Sequence, residues 1–258
     1  MDLGLNNRTA LICASSRGLG KACAAALARE GCRVVINGRN VDALASTAEE
    51  LTKQGFTVTA VAADINTEAG RQLLLQACPA PDILVNNNAG PPPGDFQQWT
   101  EADWLQAVQS NMLAPIFMIK AVIEGMQARQ FGRIINITSA MVKSPHPMMG
   151  LSTAARSGLT AFAKGLSKTV AKDNVTINNL LPERFDTDRQ KHMAGLMVKQ
   201  RGISLAEARR EIASTIAANR FGEPTEFGDA CAYLCSAQAG YISGQNLQLD
   251  GGSYDGLI

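Results

Sequence analysis

Histidine is nearly missing from this chain: His146 and His192 are the only two, and they form no helical pair. Six cysteines (Cys13, Cys23, Cys32, Cys78, Cys231, Cys235) are scattered without a Cys-x-x-Cys, so no metal site is read. Cys231 and Cys235 stand one helical turn apart but lack histidine partners; small buried hydrophobes in a reducing cytoplasm are expected instead. Neither sign of charge is in excess, since 24 Lys and Arg against 23 Asp and Glu leave a net charge of +1. That balance argues against a nucleic-acid or membrane partner. No uncharged apolar run is long enough to span a bilayer. "MDLGLNNRTALI" has no basic region followed by an apolar run, so no secretory signal is expected. Tyrosine is scarce too: Tyr233, Tyr241 and Tyr254 all lie late in the chain.

What is present is an alternation. Runs rich in β-branched residues at Thr9–Cys13, Arg33–Asn37, Thr57–Ala62, Asp82–Asn86, Arg133–Thr138, Val175–Leu180 and Asn246–Leu249 read as strands. "RVVIN" and "RIINI" are apolar along their length, as in strands covered on both faces. Helical patterns separate them at Gly18–Arg29, Val41–Gln54, Glu68–Ala77, Glu101–Arg129, Ser152–Lys172 and Thr225–Ala237. This order predicts an α/β fold of one domain over 1–258, with a doubly wound parallel sheet of seven strands and right-handed crossovers. Two charged helical patterns in Asp186–Asn219 interrupt it beyond the sixth strand. An insertion there covers the ligand crevice of such a sheet, so a helical substrate lid over 186–219 is expected. A solvated excursion without function is the plain alternative.

The first strand runs into "CASSRGLGKACAAAL". Gly18 and Gly20 open a helix there, and its bare backbone N–H groups suit a pyrophosphate. The spacing differs from Gly-x-Gly-x-x-Gly. At the end of the second strand, where NAD enzymes place a ribose-binding acid, "VVINGRN" offers Gly38 and Arg39. A guanidinium without a carboxylate suits an extra ribose phosphate, and Arg17 can flank it. NADP(H) is therefore expected over NAD(H), although both arginines also suit an ordinary solvated surface.

Here the sequence resembles the short-chain dehydrogenases/reductases. Cys13-Ala14-Ser15-Ser16-Arg17-Gly18-Leu19-Gly20 is similar to their Thr-Gly-x-x-x-Gly-x-Gly loop. Asp64 and Ile65 resemble the adenine-contacting pair, and Asp82–Gly90 ("DILVNNNAG") the Asn-Asn-Ala-Gly element, with cofactor contacts placed at Asn88, Ala89 and Gly90. Asn111 matches the helix asparagine and Ser139 the catalytic serine. "LLPERFDTD", with Pro182 and Thr187, resembles the loop that touches the nicotinamide. The likeness spans nearly the whole chain and is nearest to 3-oxoacyl-acyl-carrier-protein reductases. It implies a Rossmann-like fold and a homodimer or homotetramer built on the helices at Glu101–Arg129 and Ser152–Lys172. Departures accompany it. Ala14 replaces the first loop glycine, so φ below zero is expected there. Glu183 replaces the glycine after Pro182.

The largest departure concerns the acid. The resemblance implies a tyrosine thirteen residues after the serine, with a lysine one turn later. Those positions hold Ser152 and Arg156 in "MGLSTAARSGL". Their i, i+4 spacing keeps both on one helix face. An aliphatic hydroxyl is a far weaker acid than a phenol, and arginine is no ordinary proton donor. What remains is stabilisation of a carbonyl oxyanion by Arg156, orientation by Ser139 and Ser152, and a water that relays the proton. The expected activity is reduction of a small-molecule carbonyl compound, a 3-oxoacyl thioester or related ketone. The alternative is a catalytically impaired NADP(H)-binding sensor or scaffold, with Ser152 a plain helix N-cap. A serine hydrolase is disfavoured: Pro145 and Pro147 bar the strand that a nucleophile elbow needs before Ser152.

Overall fold

A computed structural model describes residues 1–257. Seven strands form one parallel sheet: β1 (Thr9–Ile12), β2 (Arg33–Gly38), β3 (Val58–Ala62), β4 (Ile83–Asn86), β5 (Gly132–Ile137), β6 (Val175–Pro182) and β7 (Asn246–Leu249). Their spatial order is β3-β2-β1-β4-β5-β6-β7, and all six pairings are parallel. The order reverses between β1 and β4, which opens a crevice at the C-terminal ends of those two strands. β4 and β5 are buried at every residue, as the unbroken apolar runs require of strands covered on both faces.

The helices are α1 (Gly18–Arg29), α2 (Val41–Lys53), α3 (Glu68–Ala77), α4 (Glu101–Val108), α5 (Ala114–Ala128), α6 (Gly150–Val170), α7 (Asp188–Arg201), α8 (Leu205–Ser214) and α9 (Pro224–Cys235). One core lies where α1 and α9 meet β1, β2 and β5. A second joins α5 and α6 to the opposite face of the sheet. All six cysteines are buried within the structure, and burial pushes the Cys13 and Cys32 thiols up to about 12.

The continuous helix expected over Glu101–Arg129 is interrupted. A π-turn at Gln109–Leu113 separates α4 from α5. Pro115 explains it: proline has no N–H to give the carbonyl of Asn111 four residues back, so the helix widens there. Nor does Ser152 open its helix. α6 begins at Gly150 with Met149 as the cap residue, which places Ser152 within the first turn rather than at the N-cap.

The insertion carries α7 and α8 around a small core of Ala194, Ala208, Ile212, Ile216 and Phe221. Its two ends are pinned together, since Phe185 bridges Gly222 and the Asp186 N–H donates to the Gly222 carbonyl at 2.8 Å. Among the described residues no helix is long and apolar enough to cross a membrane.

Candidate active site

The glycine loop is held from three sides. The Ala14 N–H donates to Asn37 Oδ1 at 3.2 Å, and Asn87 Nδ2 donates to the Ala14 carbonyl at 2.9 Å. Thr47 Oγ1 donates to the Ser16 carbonyl at 2.8 Å. This grip fixes Ala14 at φ 44, in the left-handed region, contrary to the expectation of φ below zero. The two hydrogen bonds hold alanine in a conformation that glycine adopts without cost. Ala14→Gly is expected to raise stability by about 1 kcal/mol or less, read as a small rise in melting temperature; a fall would show that no strain resides there.

Ser15, expected as a cofactor contact, is turned inward. It is fully buried, its N–H donates to the Asn37 carbonyl, and its hydroxyl donates to Ile12 O while accepting from the Asn37 N–H. Leu19 packs against the first core. Gly20 supplies proximity: a Cβ there would lie 2.5 Å from the Ala14 carbonyl. Gly18 has φ 59, and a Cβ on it would find only the Thr187 methyl, at 4.0 Å. The start of α1 thus faces open space, and Arg17 gives it no side-chain cap.

A groove of about 380 Å³ continues from there. Ser16, Arg17, Gly38, Arg39, Asp64, Ile65, Asn88 and Ala89 line it, together with Asn37 and Asn87, which the sequence had not singled out. Arg39 is exposed and 3.9 Å from Asp64. Gly38 has the reason for its identity in Ser16, whose side chain would be 2.9 Å from an added Cβ.

The asparagine run divides its labour by position. Asn86 ends β4, Asn87 ties down the glycine loop, and Asn88 Nδ2 donates to Asn66 Oδ1 at 2.8 Å and the Ser110 carbonyl at 3.0 Å. Asn88 Oδ1 accepts from the Ala89 N–H, so this side chain forms groove wall with its amide already engaged. Asn111 lies in the π-turn and donates to the Ala89 carbonyl at 3.4 Å.

Beyond Gly90 lies the second half of the site. Arg156 is 8% exposed and Ser152 4%. Arg156 Nη1 donates to the carbonyls of Ile137 at 2.6 Å and Thr138 at 3.1 Å, capping the end of β5. Its Nε donates to Ser152 Oγ at 3.2 Å and its Nη2 to the Asn88 carbonyl at 3.4 Å. A guanidinium has five N–H groups. Four are engaged, which leaves one on Nη2, the nitrogen nearest Gly90. Burial, and then the neighbouring Arg189 charge, lower the Arg156 pKa to about 10, so it stays charged at neutral pH.

Ser139 follows Thr138 and accepts from the Met141 N–H at 3.2 Å. Four residues on, Lys143 Nζ lies 5.3 Å from the Tyr254 ring, so folding brings one of the late tyrosines beside the loop that Ser139 opens. Pro182 ends β6 against Leu249, and Thr187 is the cap residue of α7, with no side-chain capping bond. Glu183, where the resemblance has glycine, is not in the left-handed region; the next residue, Arg184, is, at φ 53. Arg189, unmarked in the sequence, is the site residue that only the structure reveals; a Cβ built on Gly90 would lie 3.5 Å from its Nη1.

The chain is similar to known proteins over nearly its whole length. Residues 13–254 match the family profile described as enoyl-(acyl carrier protein) reductase. The NADPH-dependent reductase BacG of Bacillus subtilis is 32% identical over 96% of this chain and 98% of its own. The 3-oxoacyl-[acyl-carrier-protein] reductase FabG of Vibrio harveyi is 31% identical over 98% and 99%. The L-sorbose reductase of Gluconobacter frateurii, solved with NADPH and L-sorbose, superposes with a TM-score of 0.95 at 29% identity over the whole of both chains. The chain belongs to the short-chain dehydrogenase/reductase family.

Proposed function

We propose that this protein is an NADPH-dependent reductase of a small-molecule carbonyl compound, a 3-oxoacyl thioester or a related ketone. Ser152 and Arg156 stand in the places of the family's tyrosine and lysine. The observation that carries the reading is the seating of Arg156: buried, hydrogen-bonded to Ser152, and left with one free N–H at Gly90.

The cofactor is NADP(H), which when bound supplies a hydride to the carbonyl carbon. Arg17 and Arg39 are the cations for its ribose phosphate, and the open start of α1 beside Gly18 suits its pyrophosphate. Asp64, Ile65, Ala89, Gly90, Pro182 and Thr187 complete the walls. On the substrate side Ser139 and Ser152 orient the carbonyl oxygen. The free N–H of Arg156 meets the negative charge that develops there. A guanidinium with a pKa of about 10 keeps its proton at neutral pH, so the proton comes from a water held by Ser152. Pro115 has no N–H to donate to the Asn111 carbonyl four residues back, which suits that carbonyl to hold such a water.

The insertion 186–219 serves as the lid, with its ends pinned at Phe185 and Gly222. Phe117 and Phe162 stay exposed on α5 and α6, which supports a homodimer or homotetramer through those helices. The buried free cysteines fit a reducing cytoplasm.

The test is NADPH oxidation with a panel of ketones and 3-oxoacyl thioesters. Ser152→Ala is expected to lower kcat about 10²-fold; an unchanged kcat removes Ser152 from the mechanism. One observation favours a second reading, a non-catalytic NADP(H)-binding sensor or scaffold: no phenol stands at position 152. That reading expects NADPH binding without reduction, and activity gained by Ser152→Tyr with Arg156→Lys.

A further inference from the structure

We propose that the substrate is an oxo acid, its carboxylate held by the Arg189 guanidinium at Gly90 while the free N–H of the neighbouring Arg156 meets the carbonyl oxygen. This rests on the reductase reading above and adds a charge to its substrate.

The geometry is a convergence. A Cβ built on Gly90 would lie 3.4 Å from Arg156 Nη2, 3.5 Å from Arg189 Nη1 and 3.9 Å from Ser152 Oγ. Two cations from different helices, α6 and α7, therefore aim at one small space, which glycine keeps open. Like charges so placed repel, and the repulsion is strongest where water is excluded. One of the two is buried. An anion that joins such a pair relieves the repulsion.

No anion of the protein does so. Among the described residues neither Arg156 nor Arg189 has an ion-pair partner, although three acidic residues precede Arg189 closely in the chain. Asp186 binds Arg209 through both oxygens, at 3.2 and 2.7 Å. Asp188 pairs with Lys191 at 3.6 Å. Glu183 lies 3.8 Å from Arg184. These three carboxylates are each turned to another cation, so an anion at Arg189 would arrive with a ligand.

A carboxylate matches the planar fork of a guanidinium. Ser152 at the same point places the reacting carbonyl beside it, which suits a 2-oxo or 3-oxo acid. The reaction balances as ordinary reduction. The carbonyl carbon gains the hydride, the C=O π pair becomes an O–H with a proton from water, and NADPH becomes NADP⁺. The pair does not line the groove that contains Arg17 and Arg39, so it is separate from the ribose-phosphate cations.

The experiment compares short-chain 2-oxo and 3-oxo acids with their methyl esters, in wild type and Arg189→Gln, with NADPH affinity measured by its fluorescence. Arg189 is exposed, so the variant is expected to fold. The expected result is a clear preference for acids, and a KM for acids raised about 10- to 100-fold in Arg189→Gln, the size of a lost charge-assisted hydrogen bond. Esters and NADPH should be unaffected. Equal use of acids and esters overturns the proposal and leaves the reductase reading intact. A variant that weakens NADPH as much as the acid also overturns it, because the pair then serves the cofactor's phosphates. If no carbonyl compound is reduced, the reductase reading fails. Calorimetry of oxamate on the NADPH-loaded protein then decides alone: binding lost in Arg189→Gln supports the anion site, and no binding overturns it.

Discussion

Arg156→Ala is expected to lower kcat/KM for carbonyl reduction by roughly 10²- to 10³-fold, the usual effect of removing one donor from a developing oxyanion. Its effect on stability should be small, because two consequences oppose each other. The carbonyls of Ile137 and Thr138 lose their donors at the end of β5, and unpaired buried acceptors destabilise. A buried cation without a carboxylate partner disappears at the same time, and its desolvation cost with it. Arg156→Lys keeps the charge but has three donors on one nitrogen in place of a planar fork. It cannot cap both carbonyls, reach Ser152 and face Gly90 together, so an intermediate activity is expected. Steady-state kinetics and melting curves on the two variants check this. Activity lost together with the fold would assign Arg156 a purely structural role.

The fold was legible because its signals are local and repeated. Apolar β-branched runs such as "RIINI" alternate with helices at a spacing that admits few arrangements, and β7 falls on Asn246–Leu249 as expected. The glycine loop was legible by motif, but the inward orientation of Ser15 was not: a motif gives positions, not which way each side chain faces. The π-turn was hidden by unbroken apolar periodicity from Glu101 to Arg129, although Pro115 four residues after Asn111 was its signal. Arg189 was invisible for a different reason. It lies in "DTDRQKHMAGLMVKQRG", a stretch so charged that one more arginine reads as solvated surface. Only the packing of α7 over Gly90 brings it to Arg156.

A second hidden feature leads to the other large expected effect. Asn86, Asn136, Asn179 and Asn246 lie in register on four adjacent strands. Their side chains form a ladder: Asn86 Nδ2 donates to Asn136 Oδ1 at 2.9 Å, Asn136 Nδ2 to Asn179 Oδ1 at 3.0 Å, and Asn179 Nδ2 to Asn246 Oδ1 at 2.8 Å. The rungs tie together the strand ends from which Asn87, Ser139 and Pro182 project. Asn136→Leu leaves Asn179 Oδ1 unpaired and Asn86 Nδ2 with only the Pro115 carbonyl at 3.4 Å. An unpaired acceptor at about 1–3 kcal/mol and a donor left with one long bond at about 1 kcal/mol give an expected loss of roughly 2–4 kcal/mol. At this chain length that lowers the melting temperature by about 5–15 °C.

Asn136→Asp makes the same argument depend on pH. One carboxylate oxygen still accepts from Asn86, but the other faces Asn179 Oδ1, acceptor against acceptor, unless it carries a proton. The folded state therefore holds that proton to higher pH than the unfolded chain, whose aspartate releases it near about 3.9. More protons bound to the folded state means that stability falls as pH rises above that value, until the folded form titrates as well. The difference in stability between Asn136→Asp and wild type should thus be smaller at low pH and widen toward neutrality. The corresponding difference for Asn136→Leu, which has nothing to titrate, should stay constant. A constant difference for both variants would mean that the amide at position 136 fills space without donating to Asn179.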